Sequence, residues 1–524
     1  MTPSERRWCW AYALVLAVLT SLPPLLGFAT QGQAWRFTGF VFGVEDGNSY
    51  LAKMLQGASG AWLFRTPYTA QEQRGVLAFL PYLLLGKLAG GTGMHEQLAA
   101  LFHIARIAAI PAVVLATHRL LGHFILAPGW RRWGTVLATA GGGLGWLLVA
   151  LGRQDWLGSL PLDLHSPESF GFLALYGLPH LGAARALLLL GLCLYLEARE
   201  RPWRAWGAGA AWLLLGLAQP LTVLVGYAVL GAHLCALALR GGVGRESEVR
   251  AWLPAVGRAL ALSAPLVLYT AAAFATDPFL RGWTAQNRIP SPHPAHYLAA
   301  YALVLIPAAW GARALLRSRR AAALLPVAWV ALLPLLAYAP VNVQRRLPEG
   351  LWVALIALAA AGLASAANTT RARRAGAIVL AFSLPSTLLL LAGGVGVARR
   401  PAAPAFVPAE AAQAFGWLAG HAEPGSVVLA TYATANALPA WAPVRVPAGH
   451  GPESVGLEQV LPQVEAFFRG ELSGDAWARL RAGHSIDYVL EGPLERAAGG
   501  AAPEVLNGLM RVFDSHDYTI YRVP

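Results

Sequence analysis

Long apolar segments alternate with short polar ones over the first three quarters of the chain. A membrane-spanning helix needs about 20 consecutive, mostly apolar residues. Apolar runs long enough for this, or close to it, recur at 8–28, 98–118, 134–151, 179–198, 205–218, 221–239, 252–274, 297–312, 322–339, 351–368 and 375–394. The pattern therefore predicts a polytopic α-helical membrane protein with eleven transmembrane helices.

One further apolar run, residues 76–88, does not fit as a span. Counting it would place the basic loop of Arg131 and Arg132 outside the cell and the acidic loop of Asp155 and Glu168 inside. That arrangement opposes the rule that basic loops stay on the cytoplasmic side. We therefore expect residues 76–88 to form a helix lying at the outer membrane surface, with the N-terminus cytoplasmic and the C-terminus extracytoplasmic.

This topology sorts the polar segments by side. The basic loops at 199–204, 240–250, 313–320 and 371–374 fall inside, the second of them carrying Arg240, Arg245 and Arg250. The outer side collects the long first loop at 29–97, three further loops at 152–178, 276–296 and 340–350, and the C-terminal tail. The functional site is therefore expected on the outer side of the membrane.

The tail changes character from Pro401 onward. Short β-rich runs at 426–430, 444–446 and 486–490, with a hairpin of 509–513 and 518–523, alternate with helical patterns at 410–418, 457–468 and 475–482. Such alternation is typical of a small α/β domain. The sequence thus predicts two domains, a transmembrane domain at 1–396 and an extracytoplasmic α/β domain at 397–524.

Composition and charge agree with this division. Of 524 residues, 56% are hydrophobic and only 13% charged, whereas soluble proteins carry about 25% charged residues. The net charge is +13, but the part from Arg399 onward has nine Arg against thirteen Asp and Glu, so the rest carries +17 in short loops. This distribution marks membrane topology and argues against a nucleic-acid partner. The Arg, Ala and Gly richness suggests a bacterial source, and hence the inner (cell) membrane.

Two adjacent carboxylates, Glu45 and Asp46, follow the first apolar run. They either form a turn at Asp46-Gly47, with Asn48 or Ser49 capping a helix at 50–56, or carry chemistry. A carboxylate at the membrane surface can act as a general base towards an acceptor hydroxyl. Sequence alone leaves both interpretations open.

Arg345 and Arg346 stand in a short outer loop, where the charge rule does not expect arginines. They lie there by chance, or they bind an anion. Guanidinium groups suit phosphate, so a lipid phosphate is the expected ligand.

The second outer loop and the fourth polar segment supply further candidates. Around the second loop these are Asp163, His165, Glu168, Tyr176 and His180. Asp163, His165 and Glu168 could hold a divalent metal, although no ligand spacing demands it. Arg281, Asn287 and Arg288 are expected in a mobile loop over the site.

The layout resembles the GT-C superfamily of membrane glycosyltransferases, of the protein-mannosyltransferase and aminoarabinose-transferase type. The resemblance rests on Glu45-Asp46 after the first span, on the first loop from Tyr50-Leu-Ala-Lys53 through Trp62-Leu-Phe-Arg-Thr-Pro-Tyr68, on Gln344-Arg345-Arg346 and Gly350, and on the ending Tyr518-Thr-Ile-Tyr-Arg-Val523. It covers nearly the whole chain.

The resemblance implies roles for these residues. Asp46 would be the catalytic base with Glu45 as its alternate, and Arg345, Arg346 and Gln344 would hold the phosphate of a polyprenyl-phosphate sugar. Asp163 and Glu168 compete for the place of a second-loop acidic residue. The remaining substrate-site candidates are Asn48, Tyr50, Lys53, Tyr68, His165, His180 and Arg288. The tail has no Trp-Trp-Asp motif, which counts against asparagine glycosylation.

We therefore expect an inverting glycosyltransferase that moves a sugar from a polyprenyl-phosphate donor to a glycan, lipid or protein acceptor. The alternatives are a lipid or sugar transporter (or flippase) and a non-catalytic scaffold with the same fold. Transporters tend to show internal repeats and polar groups at mid-membrane depth. The sequence shows no clear repeat, and Arg106 and Arg185 are the only prominent charges well inside predicted spans.

Overall fold

A computed structural model describes residues 1–240 and 245–524, without the side chain of Arg245. The basic loop predicted at 240–250 thus lies partly outside the described residues. Up to residue 400 the helices are α1 (Pro3–Thr30), α2 (Val44–Ala58), α3 (Leu80–Gly86), α4 (Met94–Gly122), α5 (Pro128–Ala140), α6 (Gly145–Ala150), α7 (Leu162–His165), α8 (Gly171–Gly177), α9 (Pro179–Glu197), α10 (Arg204–Ala218), α11 (Pro220–Leu239), α12 (Arg245–Thr276), α13 (Pro278–Gln286), α14 (Pro294–Arg317), α15 (Leu324–Ala331), α16 (Leu333–Ala337), α17 (Leu351–Ala364), α18 (Thr369–Ser383) and α19 (Pro385–Ala398).

The remaining elements are mostly in the tail. Its helices are α20 (Ala409–His421), α21 (Tyr432–Ala437), α22 (Leu457–Phe468), α23 (Gly474–His484), α24 (Pro493–Ala497) and α25 (Pro503–Leu506). The strands are β1 (Trp35–Phe37), β2 (Phe406–Pro408), β3 (Val427–Leu429), β4 (Ile486–Glu491), β5 (Met510–Asp514) and β6 (Thr519–Arg522). The predicted fold class, a helical membrane protein with a C-terminal α/β region, is confirmed.

Every predicted span falls on helical structure. Within the described residues, seven helical segments are long and apolar enough to cross a membrane: Pro3–Thr30, Met94–Gly122, Pro179–Glu197, Pro220–Leu239, Glu246–Thr276, Pro294–Arg317 and Thr369–Ala398. The other predicted spans are shorter or broken, as at 134–151, where three glycines separate α5 from α6. The number of eleven crossings stays a prediction.

The chain divides into two compact units by its internal contacts. The first unit comprises Met1–Ser21, Ile104–Ala271 and Arg288–Gly393, and the second comprises Leu22–His103, Ala272–Asn287 and Gly394–Pro524. The functional division at 396/397 stays a prediction.

In the first unit, α14 and α17 touch backbone to backbone. A Cβ at Gly311 would lie 1.7 Å from the carbonyl oxygen of Leu358, and one at Gly362 would lie 2.1 Å from that of Pro307. Small residues permit such close approach between helices in a membrane, where no hydrophobic effect drives the helices together. Glycine is therefore needed at both positions.

In the second unit, a four-stranded sheet has the order β3-β4-β6-β5, with β3 and β4 parallel and the other pairs antiparallel. Alternate residues of a strand face opposite sides. Val428 accordingly packs in one cluster with Phe415 of α20, while Val427 packs in another with Phe467 of α22. The sheet thus has helices on both faces.

The prediction of a strand at 444–446 is wrong. Only Arg445 forms a single parallel bridge, with Val427, at the edge of the sheet. Proline at 443 and 447 flanks this run and has no N–H for a ladder, so pairing cannot extend.

The helix predicted at 76–88 is present in shorter form as α3, and it packs on α2. A Cβ at Gly86 would lie 1.7 Å from the carbonyl oxygen of Met54, and one at Gly57 would lie 2.0 Å from that of Leu83. The two glycines place the backbones in direct contact, so α3 supports α2, the helix whose first turn contains Glu45 and Asp46.

Candidate functional site

The carboxylates of the first loop lie in a helix, not in a polar turn. Gly43 adopts φ 56°, ψ 39° in the left-handed region that glycine tolerates best, and α2 begins directly after it at Val44. Glu45 and Asp46 occupy the first turn, where the helix dipole favours negative charge. The expected start at residue 50, with Asn48 or Ser49 as cap, is therefore wrong.

Glu45 and Asp46 have different partners within the second unit. Tyr432 Oη and the backbone N–H of Gly451 (3.1 Å) both donate to Glu45 Oε1. Asp46 keeps 61% of its side chain exposed, and its Oδ1 lies 3.2 Å from His450 Nε2. Glu45 thus holds the tail segment, while Asp46 presents an open carboxylate.

Two turns further along α2, Lys53 is fully buried. Its Nζ donates to Glu453 Oε1 at 2.5 Å and also to Ser49 Oγ. Glu453 accepts two more bonds, from Ser49 Oγ at 2.6 Å and from Thr66 Oγ1 at 2.8 Å. Burial raises the pKa of the Glu453 carboxyl, but Lys53 and the donors outweigh burial, so its pKa lies below the usual value.

His450 connects this buried pair to Asp46. Its side chain is 5% exposed, with Nδ1 3.8 Å from Glu453 Oε1 and without a hydrogen-bond partner. The hydroxyl of Ser454 accepts from the backbone N–H groups of Gly449 and His450 and fixes the segment. An imidazole thus stands between an exposed carboxylate and a buried one.

Three other residues predicted for the substrate site are held by hydrogen bonds or ring stacking within the second unit. Asn48 is buried and donates to Asn436 Oδ1 at 2.8 Å, while Tyr68 donates to the carbonyl of Asn436 at 3.0 Å. The Tyr50 ring stacks on Tyr82 at 4.8 Å. Burial raises the pKa of the Tyr68 hydroxyl well above its usual value, so Tyr68 stays neutral.

The predicted phosphate-binding arginines belong to the first unit. Residues 344–346 form a single 3-10 turn, in which the backbone N–H of Arg345 donates to Ile289 O at 3.2 Å and Gln344 Oε1 accepts from Ser291 N. Arg346 lies 3.7 Å from Glu168 Oε1 and is 36% exposed. Arg345 has a buried Nε without a hydrogen-bond partner, and burial lowers the pKa of its guanidinium.

A second buried ion pair, Arg185 with Glu349, lies in the same unit. Arg185 Nε donates to Glu349 Oε1 at 2.6 Å, and its other nitrogens donate to the carbonyls of Phe170, Pro167 and Glu168. Glu349 Oε2 and Glu168 Oε2 are buried without partners. Burial raises the pKa of Glu349 to about 6 despite Arg185.

The residues considered for a metal do not form a ligand group. The Asp163 carboxylate accepts from Gly143 N, Gly145 N and Ser386 Oγ, and it therefore orders the backbone between α5 and α6. His165 bonds to Pro161 O, and burial lowers its pKa to about 4, so it is neutral. Among the described residues, no group of three His, Cys, Asp or Glu is placed to hold a metal ion.

The remaining candidates lie on or beside helices α8, α9, α13 and α14. His180 is the second residue of α9, half-buried, and Tyr176 is buried in α8. Arg288 is exposed in the segment before α14 and belongs to the first unit, while Arg281 and Asn287 belong to the second. The structure brings Glu45, Asp46 and Lys53 together with the tail, and Arg345 and Arg346 together with Glu168.

The tail residues that contact α2 were not identified from the sequence. His450, Glu453, Tyr432 and Asn436 lie about 390–400 positions from their partners. The segment Gly449-His450-Gly451-Pro452-Glu453 was a usable signal, because it places a histidine and a carboxylate in a glycine-rich loop within an otherwise apolar stretch.

Solved membrane glycosyltransferases share this fold. The Archaeoglobus fulgidus oligosaccharyltransferase in the apo form aligns with a TM-score of 0.58 over 98% of this chain and 74% of that chain, at 13% identity. The oligosaccharyltransferase AglB of the same organism, in complex with an inhibitory peptide and a dolichol-phosphate, gives 0.55 over 95% and 72%, at 12% identity. ArnT from Cupriavidus metallidurans in the apo state gives 0.50 over 97% of both chains, at 13% identity.

No family model matches the chain, and no curated protein matches it. The structural likeness nevertheless extends over nearly all of it. The resemblance drawn from the motifs is thereby confirmed at the level of the fold: this chain is a multi-pass membrane protein with the fold of the GT-C glycosyltransferases.

Proposed function

We propose that the protein is an inverting glycosyltransferase that takes a sugar from a polyprenyl-phosphate donor and transfers it to an acceptor hydroxyl. The reaction takes place at the outer face of a bacterial inner membrane. The observation that carries this proposal is the Asp46 carboxylate, which is exposed at the start of α2 and in contact with a buried histidine.

The reaction is a single displacement at the anomeric carbon. Asp46 removes the proton from the acceptor hydroxyl as its oxygen forms the new glycosidic bond. The bond from the anomeric carbon to the phosphate oxygen breaks, and its electron pair leaves with the lipid phosphate. A phosphate leaves without protonation, so one carboxylate suffices.

Asp46 is a better base than Glu45 on two counts. Tyr432 and the backbone N–H of Gly451 already donate to Glu45 Oε1, so this carboxylate is engaged with the tail segment. His450 orients Asp46 by donating from Nε2, and the buried pair of Glu453 and Lys53 lies on the other side of the imidazole. Glu45 therefore keeps the tail segment in place, and Asp46 performs the proton transfer.

Arg345 and Arg346 bind the donor phosphate in this proposal. The unpartnered Nε of Arg345 supplies a free donor, and a phosphate oxygen would satisfy it. The guanidinium groups would also stabilise the negative charge that develops on the leaving phosphate.

The proposal is tested by mass spectrometry of cell-envelope glycans and glycoproteins in a deletion strain carrying wild-type or variant genes. Asp46→Asn should abolish the sugar modification that the wild-type gene restores, with a loss of at least about 100-fold in transfer. Glu72→Gln, an exposed carboxylate in the same predicted loop, is the matched control. Full modification with Asp46→Asn would overturn Asp46 as the base.

Donor binding is tested separately with the purified chain. Arg345→Ala should weaken binding of undecaprenyl phosphate at least about tenfold, since a charge-assisted contact is lost. Asp46→Asn should bind it normally, and Arg317→Gln, an exposed arginine at the end of α14, serves as the control. Unchanged affinity in Arg345→Ala would remove this residue from the phosphate site.

A further inference from the structure

A cavity of about 500 Å³ opens among helix ends in the first unit, apart from the residues used above. It lies where α4 and α9 end and where α5 and α10 begin. Met1 and Gly122 line it, together with the charged and titratable side chains of Arg119, Arg131, Arg204, His118, His123 and Glu197.

The cavity carries an unbalanced positive charge. Glu197 is shared by two guanidinium groups: Arg119 donates to both of its oxygens, at 2.9 and 2.6 Å, and Arg204 donates to Oε2. Arg131 is balanced separately by Glu5 at 2.6 Å. The side chains therefore carry one excess positive charge, even with both histidines neutral.

Two buried nitrogens at this cavity have no hydrogen-bond partner. One is Nε of Arg131, and the other is Nε2 of the fully buried His118, which lies 3.7 Å from Glu5 Oε1. The Thr135 hydroxyl donates to the Arg131 carbonyl at 2.8 Å, so it accepts from His118 Nδ1 at 2.9 Å. Because Nδ1 carries the proton, Nε2 of the neutral His118 ring is an acceptor. Arg131 Nε is therefore the donor that an acceptor oxygen of a ligand would satisfy.

The surroundings favour an amphiphile over a free ion. The cavity lies where apolar helices end, and two tryptophans at the start of α10, Trp203 (65% exposed) and Trp206 (48% exposed), are outward-facing. Exposed tryptophan next to arginine is typical of the membrane interface, where lipid headgroups lie. Basic pockets between helix ends at this level bind anionic headgroups.

We propose that this cavity is a binding site for the phosphodiester group of an anionic phospholipid. Arg119 and Arg204 supply the excess charge, and Arg131, which also lines the cavity, has a buried Nε without a hydrogen-bond partner. The site is independent of the glycosyltransferase proposal, since it uses none of the residues assigned there.

The test is a binding titration of the purified full-length chain by native mass spectrometry, with phosphatidylglycerol, phosphatidylcholine and inorganic phosphate as probes. Phosphatidylglycerol should bind at least tenfold more tightly than the other two. Equal affinity for phosphatidylcholine would overturn the anionic site, and equal affinity for inorganic phosphate would overturn its assignment to lipid.

Two variants test the proposal by lowering or raising the positive charge of the cavity. Arg204→Gln removes the excess charge and should weaken phosphatidylglycerol binding about fivefold. Arg201→Gln, an exposed arginine three positions away, should bind as the wild type does. Glu197→Gln adds a net positive charge and should strengthen binding, so the proposal stays testable if Arg204→Gln fails to fold. Unchanged affinity in both charge variants would overturn it.

Discussion

Lys53 with Glu453 in the second unit and Arg185 with Glu349 in the first are both buried ion pairs, and their carboxylates behave in opposite ways. Glu453 receives donors on both oxygens, and its pKa is lowered. Glu349 has a partner on one oxygen only, and its pKa is raised to about 6. Pairing with a cation is thus not enough to offset the rise in pKa that burial causes in a carboxyl group.

The two cations also differ in the acceptors that surround them. Arg185 also donates to three backbone carbonyls, so it retains acceptors when Glu349 is neutral. Lys53 contacts only the Ser49 oxygens besides Glu453, together with the faces of nearby aromatic rings such as Phe79 at 4.5 Å. The first pair therefore tolerates protonation of its carboxyl, whereas the second depends on an ionised one.

Neutralising each carboxyl in turn gives the largest expected contrast. Glu453→Gln leaves Lys53 buried without a counter-charge and should destabilise the protein by about 3–5 kcal/mol. Glu349→Gln, measured at pH 5, replaces a carboxyl that is already mostly protonated and should cost less than about 1 kcal/mol. Unfolding of the purified chain in detergent measures both.

The exposed Glu465→Gln is the control for these two variants and should leave the midpoint of unfolding unchanged. If Glu349→Gln at pH 5 cost as much as Glu453→Gln, the contrast between the two pairs would be wrong.

The pH dependence of stability should have opposite signs for the two carboxyls. Glu349 holds its proton to about pH 6 in the folded state, against 4.5 for the ordinary value, so its contribution falls as pH rises through that window. The loss is about 2 kcal/mol, and it should be absent in Glu349→Gln. The contribution of Glu453 is present above pH 4.5 and is lost as pH falls through its lowered pKa.

Comparing the unfolding midpoints of wild type and each variant between pH 4 and pH 7 checks this prediction. Parallel curves for Glu349→Gln and wild type between pH 4.5 and 6 would show that Glu349 titrates normally in the folded protein.

Removing one donor from Glu453 should make it resemble Glu349. Thr66→Val keeps the shape of the side chain but loses the hydroxyl that donates to Oε2, and it should cost about 1.5 kcal/mol. The loss of stability on acidification should then begin at a higher pH. Thr66→Ser, which retains the donor, should behave nearly as the wild type; equal losses in both variants would point to packing rather than to the hydrogen bond.

Local patterns in the sequence predicted the elements well and their partners poorly. Apolar periodicity located the helix at 457–468 and the strand at 486–490, because burial repeats along each element. The pattern around Glu45 failed because Asp46-Gly47 and Asn48 carry turn and cap signals, while Gly43 actually sets the helix start. Nothing local to Lys53 indicates Glu453, because that contact joins residues 400 positions apart.

The residues of the candidate site were selected by their position along the chain, and their roles stay predictions. Glu45 and Asp46 follow the first apolar run, and Arg345 and Arg346 stand in a loop where the charge rule does not expect arginines. The groups that orient them come from distant segments of their own unit, and the fold alone decides which side chains these are.

The burial of Lys53 has a practical consequence, because the chain has only one other lysine, Lys87, which is partly exposed at the end of α3. An amine-selective reagent therefore modifies a single side chain in the native protein. Modification of Lys53 requires the packing around α2 to open, and its rate follows the free energy of that opening. The chain thus carries its own reporter of local unfolding at the helix that bears Asp46, with no label engineered into it.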